Sequence, residues 1–247
     1  MVRAAASSLC ALALLAAAHG QSFEAISIKP AVGGRGSRNG PAPGGERYQA
    51  TTASLRTLIA EAYRVRLDLV TGGPDWIDRE RFDVNAKAER ASNHAEMRAM
   101  LQQLLSGRFQ LELHRETKVI PVFELGIDKS GSKLRAPAAG TDLSFEQSPG
   151  QWHEVKMKGR SVPMDYLAWR LSRVLDRPLI DRTNLTRAYD FDLAFIEEVD
   201  PEIAGRLPSI HPTIFEALRD QLGLRLDARR GPVEILVIDR TARPGEN

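Results

Sequence analysis

The 247-residue sequence predicts an α+β fold built of two tandem similar subdomains, each running strand-helix-strand-strand-helix-strand-strand with small mixed sheets. Three observations predict it. Met164, Leu167, Ala168 and Leu171 recur at helical spacing, and Leu55, Leu58, Ile59 and Ala62 match them at a constant offset of 109. Phe191, Leu193 and Phe195 alternate as in a half-buried strand, and Phe82, Val84 and Ala86 repeat the alternation at the same offset. The apolar run 233–238 matches 122–127 at an offset of 111. Four elements in order with nearly fixed spacing point to an internal duplication. The period is too long, and the copies too few, for a solenoid.

In chain order, residues 1–20 read as a secretory signal peptide. Arg3 is the positive end, residues 9–18 are apolar, and Ala18-His19-Gly20 offers small residues for cleavage. That apolar run is too short for a transmembrane helix, and no later run is long enough. The expectation is a chain exported to the periplasm or the medium, with no integral membrane segment once the signal is cleaved. Cleavage also removes Cys10, the one cysteine, so disulfides and thiolate metal sites are excluded.

Residues 21–128 form the first expected subdomain. Residues 23–28 read as a short strand, 31–46 as a Gly/Pro/Arg-rich loop, and 47–52 as the strand that opens the first copy. Asn93 with Glu96 is a helix-start signature, Met97, Met100, Leu101, Leu104 and Leu105 follow, and Gly107 is expected to end that helix. Phe109, Leu111 and Leu113 alternate, and Pro121 reads as a turn. Residues 129–150, rich in Gly, Ser, Pro and Ala, read as a linker.

Residues 151–241 form the second expected subdomain, with 152–158 as its opening strand. Ser161 is expected to cap the next helix and Pro163 to sit in its first turn. Arg177-Pro178 stops it. Thr213 with Glu216 is a capping box, and Gly223 sits where a left-handed C-cap belongs. Arg230-Gly231-Pro232 reads as a turn before the last strand. That strand, apolar on both faces, is expected to be interior to a sheet. Residues 242–247 read as a fraying polar tail.

Lysine and arginine number 34 against 32 acidic residues, a formal charge of +2. Mixed signs near neutrality give no general field for nucleic acid or an acidic membrane. Gly34 to Gly40 lacks the third glycine of a dinucleotide fingerprint, and the prolines after it cannot open a helix. Ser130-Gly131-Ser132-Lys133 fits Ser-x-x-Lys but lies in a glycine-rich stretch without the helix that chemistry needs. No two histidines stand at helical metal spacing, and no cofactor motif occurs, so no catalytic, cofactor or metal residue is assigned.

Four residues stand out as partner-contact candidates: Asp75 and Trp76 in the turn after Gly72-Gly73, and Tyr166 and Trp169, off the main stripe of their helix. The aromatic pair either packs between the subdomains or forms an exposed patch, and packing is the favoured expectation. A weaker polar site gathers His114, His153, Asp190 and Asp192. The two aspartates point the same way from one strand, roughly 7 Å apart.

The chain resembles the soil-associated family of secreted bacterial proteins of unknown function. The stretches that carry the resemblance are Phe23-Glu24-Ala25-Ile26-Ser27-Ile28-Lys29-Pro30, residues 72–78 with Arg81-Phe82-Asp83, 104–116 with Pro121-Val122, Leu179-Ile180-Asp181-Arg182-Thr183, Tyr189-Asp190-Phe191, and 223–240. That resemblance implies no activity. The domain is also similar to one appended to membrane metallopeptidases of the beta-lactam-sensor type, but the His-Glu-x-x-His of those enzymes is not in this sequence. Each half separately resembles the short N-terminal domain of secretins and TonB-dependent receptors, which implies a periplasmic protein-contact module rather than an enzyme. The expected function is a non-catalytic module that contacts a protein or peptide at the cell envelope through sheet edges and the Trp76 and Trp169 regions. The alternative is an envelope small-ligand sensor or hydrolase with its site in the cleft between the subdomains.

Overall fold

The structure is a computed structural model, which describes residues 22–33, 38–42, 44–150, 153–196 and 212–245. The signal reading at 1–20, most of the 34–40 loop, Trp152 and His211 lie outside them. The fold is α+β, as the sequence predicts.

In the first half, β1 (Phe23–Pro30), β2 (Arg38–Pro41), β3 (Arg47–Ala53) and β5 (Phe82–Ala88) make one antiparallel sheet in the order β1-β5-β3-β2. Helix α1 (Leu55–Tyr63) follows β3. Its N-cap Ser54 accepts the Thr57 N–H, and its buried stripe is Leu55, Leu58, Ile59 and Ala62. A short strand β4 (Val70–Gly72) and a single turn of helix, α2 (Trp76–Arg79), lead into β5. Helix α3 (His94–Phe109) starts on the expected Asn93/Glu96 capping box. It does not stop at Gly107. It runs two residues further to Phe109, which is fully buried, and Gln110 takes the left-handed cap at φ 48°.

The second half repeats this plan. β7 (Ser144–Pro149), β8 (Glu154–Pro163) and β10 (Ala188–Ile196) make an antiparallel sheet in the order β10-β8-β7. Helix α4 (Met164–Ser172) follows β8, β9 (Leu179–Asp181) follows α4, and α5 (Ile214–Ala217) starts on the Thr213/Glu216 capping box. Leu218–Leu222 continues α5 as a π-helical turn that ends at Gly223, φ 66°. The stretches expected as loop and linker therefore carry β2 and β7. Each forms a hairpin with the strand that opens its half.

Both halves also hide a matching irregularity. The register of β3 against β5 slips between Ala50 and Ala53, and Thr52 sits there at φ 54° with its N–H on the Asp83 carboxylate at 2.8 Å. In the second half the slip falls between Tyr189 and Phe191. There Ser161 sits at φ 50° and gives its N–H to Asp190 at 2.8 Å. These are β-bulges, each held by one aspartate on the neighbouring strand. Ser161 is thus the bulge residue and not the helix cap. Pro163 occupies the N-cap of α4 and makes no side-chain bond.

The third sheet joins the halves. β6 (Glu112–Ile127) and β11 (Leu224–Arg240) run antiparallel along their whole length, with β4 beside β11 and β9 beside β6, both parallel. Ile120 faces Gly231, which is its counterpart at the offset of 111. Val122 faces Arg229 and Val233 faces Lys118, the same pairing with the halves exchanged. The expected turns at Pro121 and at 230–232 are not formed, and each pair of short strands is one long strand. Both prolines fall where their strand has no outer neighbour, since β9 joins only at Phe123–Leu125 and β4 only at Leu236–Ile238. A residue without an N–H is tolerated on such a stretch.

The long strands carry side chains across. Leu236 and Ile238 of β11 belong to the first hydrophobic core, whereas Phe123 and Leu125 of β6 belong to the second. Each half is closed by the other's last strand. The segment after β6 is pinned as well: Lys133 N donates to Leu222 O at 2.8 Å, and Arg135 and Asp190 exchange backbone bonds. The C-terminal stretch expected to fray is tied down through residue 243. Ala242 N bonds Phe109 O, and Arg243 grips Glu80 with its guanidinium over the Trp76 ring.

Candidate functional site

Helices α1 and α4 face each other across the seam, and charged side chains on each reach the other. Arg64, the left-handed C-cap of α1, pairs with Asp165 at 2.9 Å and lays its guanidinium 4.7 Å over the Tyr166 ring. Arg66 donates to Ser172 O and, at 2.6 Å, to Leu175 O. It thereby satisfies carbonyls at the C-terminal end of α4 with a positive charge, where the helix dipole favours one. Arg173 reaches back to Glu61 at 3.2 Å.

Beside this seam lies a cavity of about 790 Å³. Its walls hold three arginines, Arg56, Arg66 and Arg173, and three carboxylates, Glu61, Asp68 and Asp78. Val65, Leu67 and Val70 supply apolar wall. All come from the first half except Arg173. The volume falls in the range of small-molecule and peptide pockets, and a boundary between two structural units is a usual place for one.

The arginines differ in how much of their fork is spent. Arg56 holds both oxygens of Asp78, at 2.6 and 2.9 Å, and also the carbonyls of Val70 and Gly72. Those carbonyls lie on β4, an edge strand of the joining sheet, so Arg56 caps that edge. Arg66 divides its fork between Asp68 and the end of α4. Arg173 makes one side-chain hydrogen bond among the described residues, to Glu61, and its side chain is 45% exposed. Burial raises the Glu61 carboxyl pKa, against the pull of Arg173 and Arg170. Burial lowers the pKa of His94, also in the first half, helped by Arg64 and Arg98. Burial also raises the Tyr48 phenol well above its ordinary value, with Glu61 adding to it.

The residues singled out from sequence are not brought to this cavity. Tyr166 and Trp169 are 8% and 6% exposed. Tyr166 stacks edge-on with His94 of the first half and with Trp169, at 5.7 and 5.5 Å, and Arg173 covers the Trp169 ring at 5.2 Å. For Tyr166 that is packing between the halves, as favoured, and the surface the pair offered a partner is taken up inside the chain. Trp76 is half-buried, edge-on to Phe82 at 6.5 Å and covered by Arg243. Asp75 is exposed and paired with Arg79.

The weaker polar set is scattered. His114 lies on β6, bonded to Asp239 at 2.8 Å, and those partners raise its pKa. His153 occupies the left-handed position of the β7–β8 turn, at φ 64°. Asp190 holds the bulge. Asp192 pairs with Arg135 and Arg160 at 2.5 and 3.0 Å, and these bonds lower its pKa although burial opposes them. Both aspartates are thus engaged in hydrogen bonds or ion pairs within the chain. Among the described residues no group of three His, Cys, Asp or Glu could hold a metal ion, and no helix is long and apolar enough to cross a membrane.

Sequence reasoning missed Arg173 and Leu67, because each looks ordinary in its own segment. One signal was present: Arg64 and Arg173 stand at the same offset of 109 as the helices that carry them.

Residues 56–241 match the model of a family described as "Protein of unknown function (DUF3738)". No curated protein and no solved structure matches the chain.

Proposed function

The chain belongs to the DUF3738 family of proteins of unknown function, and from that premise we propose that it is a non-catalytic binding protein of the cell envelope that takes a segment of a protein or peptide into the cleft walled by α1 and residues 65–70, with Arg173 at the end of α4 reaching in. The observation that carries this reading is the cavity of about 790 Å³ walled by the first half and reached by Arg173 of the second, in a molecule whose halves hold one another in place. A site built on such a frame is pre-organised, and little ordering cost is left for binding. The signal-like residues 1–20 support an envelope location. The resemblance of each half to the short N-terminal domain of secretins and TonB-dependent receptors supports a contact role. Strand addition at β4 is disfavoured by the Arg56 cap, so the cleft is the preferred surface over that edge. The cavity also suits a second reading, a small-ligand sensor, because its volume fits a drug-sized molecule.

Photo-crosslinking tests the proposal. A crosslinking side chain at position 67 in the cleft, and one at 119 on the joining sheet, begin from similar exposure, 50% and 59%. Position 67 should capture an envelope component that position 119 does not. Equal capture at both, or none at 67, would remove the cleft from consideration.

A further inference from the structure

We infer that the cleft recognises a single carboxylate carried on an apolar body, as found at the C-terminus of a peptide or in a small organic acid. This rests on the cleft being the binding surface and names what it reads. Arg173 has the least committed guanidinium of the three, with one ion pair to Glu61 and one face over the Trp169 ring. One hydrogen bond goes to Glu61, the side chain is 45% exposed, and the rest of its fork suits the two oxygens of a carboxylate. The other two arginines of the wall are spent. Arg56 is held by Asp78, Val70 and Gly72, and Arg66 by Asp68 and the end of α4.

The charge count then limits the ligand. Three guanidinium groups face three carboxylates, so a dianion such as phosphate would meet Glu61, Asp68 and Asp78 without a surplus of positive charge. A monoanion brings half that repulsion and needs only the part of the Arg173 fork that Glu61 leaves. The apolar body is indicated by Leu67. It is 50% exposed on the cavity wall beside Val65, where a ligand side chain would cover it. The Val70 and Gly72 carbonyls are already taken, so the ligand is held by side chains and not as an added strand.

The test is titration of the full exported chain with three probes, followed by NMR of the Leu67 and Val65 methyl groups. The probes are an N-acetylated tripeptide ending in leucine with a free carboxylate, the same peptide as its C-terminal amide, and N-acetyl-leucine. Both acids should shift the methyl signals, and the amide should bind about ten-fold more weakly, the loss expected for one charge-assisted contact. Tighter binding of the tripeptide acid assigns a peptide terminus, and tighter binding of N-acetyl-leucine assigns a small acid. Arg173→Gln should weaken the acids about ten-fold and leave the amide unchanged. Arg173 also joins the halves through Glu61, so Leu67→Asp serves as the second variant. It sits at an exposed position and should weaken the acids comparably without loss of fold. Equal binding of acid and amide, binding of the acids that survives Leu67→Asp, or no binding of either acid would overturn the inference. Capture at position 67 together with any of those results would leave the cleft as the binding surface and remove only the carboxylate.

Discussion

The two halves share a backbone plan but spend their side chains differently. Both have the hairpin, the bulge held by an aspartate, the helix that follows it and the exchanged last strand. The first half adds β1, α2 and a 16-residue α3. Among the described residues the second has the four residues of α5 and a π-helical turn in the place of α3. Of the matching parts, the last strands make the joining sheet, and the hairpins and bulges shape each half's own sheet. The differing parts include α2, whose Asp78 borders the cleft, while α1 on the cleft wall has its match in α4. Architecture is held in common, while the chemistry of the surface is left to one half.

That contrast can be broken first at the exchanged strands. Leu125 and Leu236 are both fully buried, each in the core of the half that does not contain it. Leu125→Ala and Leu236→Ala should each cost about 2 to 5 kcal/mol. Chemical denaturation should still show one transition in either variant. Two separated transitions would mean that the halves unfold independently. The left-handed helix caps sharpen the contrast next. Gly223 and Gln110 have the same role, but a Cβ at Gly223 would stand 1.9 Å from Gly131 O. Gly223→Ala should cost about 3 kcal/mol, from the left-handed backbone together with overpacking. Gln110→Gly should be stabilising or neutral, within about 1 kcal/mol. Urea midpoints of the two variants would reveal any reversal of that order.

The bulges give a smaller effect. Asp190→Ala should cost about 1 to 2 kcal/mol and Asp83→Ala less, because the Asp190 bond is partly buried and the Asp83 bond is exposed. Equal losses would show that solvent makes no difference to the two bonds. The smallest effect concerns acid. Burial holds the folded pKa of His94 below the ordinary histidine value of 6.5, so the unfolded chain binds the extra proton. Its contribution to stability is complete above pH 6.5 and is lost as the pH falls from there through the depressed folded value. His94→Gln should flatten the melting temperature over that window, and an unchanged slope would exclude His94 as the cause.

The helices were legible because their signals are local. Apolar stripes, the Asn93/Glu96 and Thr213/Glu216 capping boxes and the Gly223 cap all lie within a few residues of what they determine. Pro121 and Pro232 misled, since proline indicates a turn unless the outer edge of its strand is vacant, and vacancy depends on partners 100 residues away. The bulges were hidden for the same reason. Thr52 and Ser161 are unusual residues for a left-handed backbone, and only the aspartate on the next strand accounts for them. The cleft was least legible. Leu67 and Arg173 lie in different halves, and nothing near either one announces the other.

The crossing of β6 and β11 makes part of the covalent chain redundant. A protease that cut once between residues 136 and 143 would leave two polypeptides, each filling a gap in the other's interior and paired along sixteen and seventeen residues. The severed molecule would stay together as a heterodimer. It could be rebuilt by mixing its two pieces, so the cleft could be switched on by bringing together two separately made fragments.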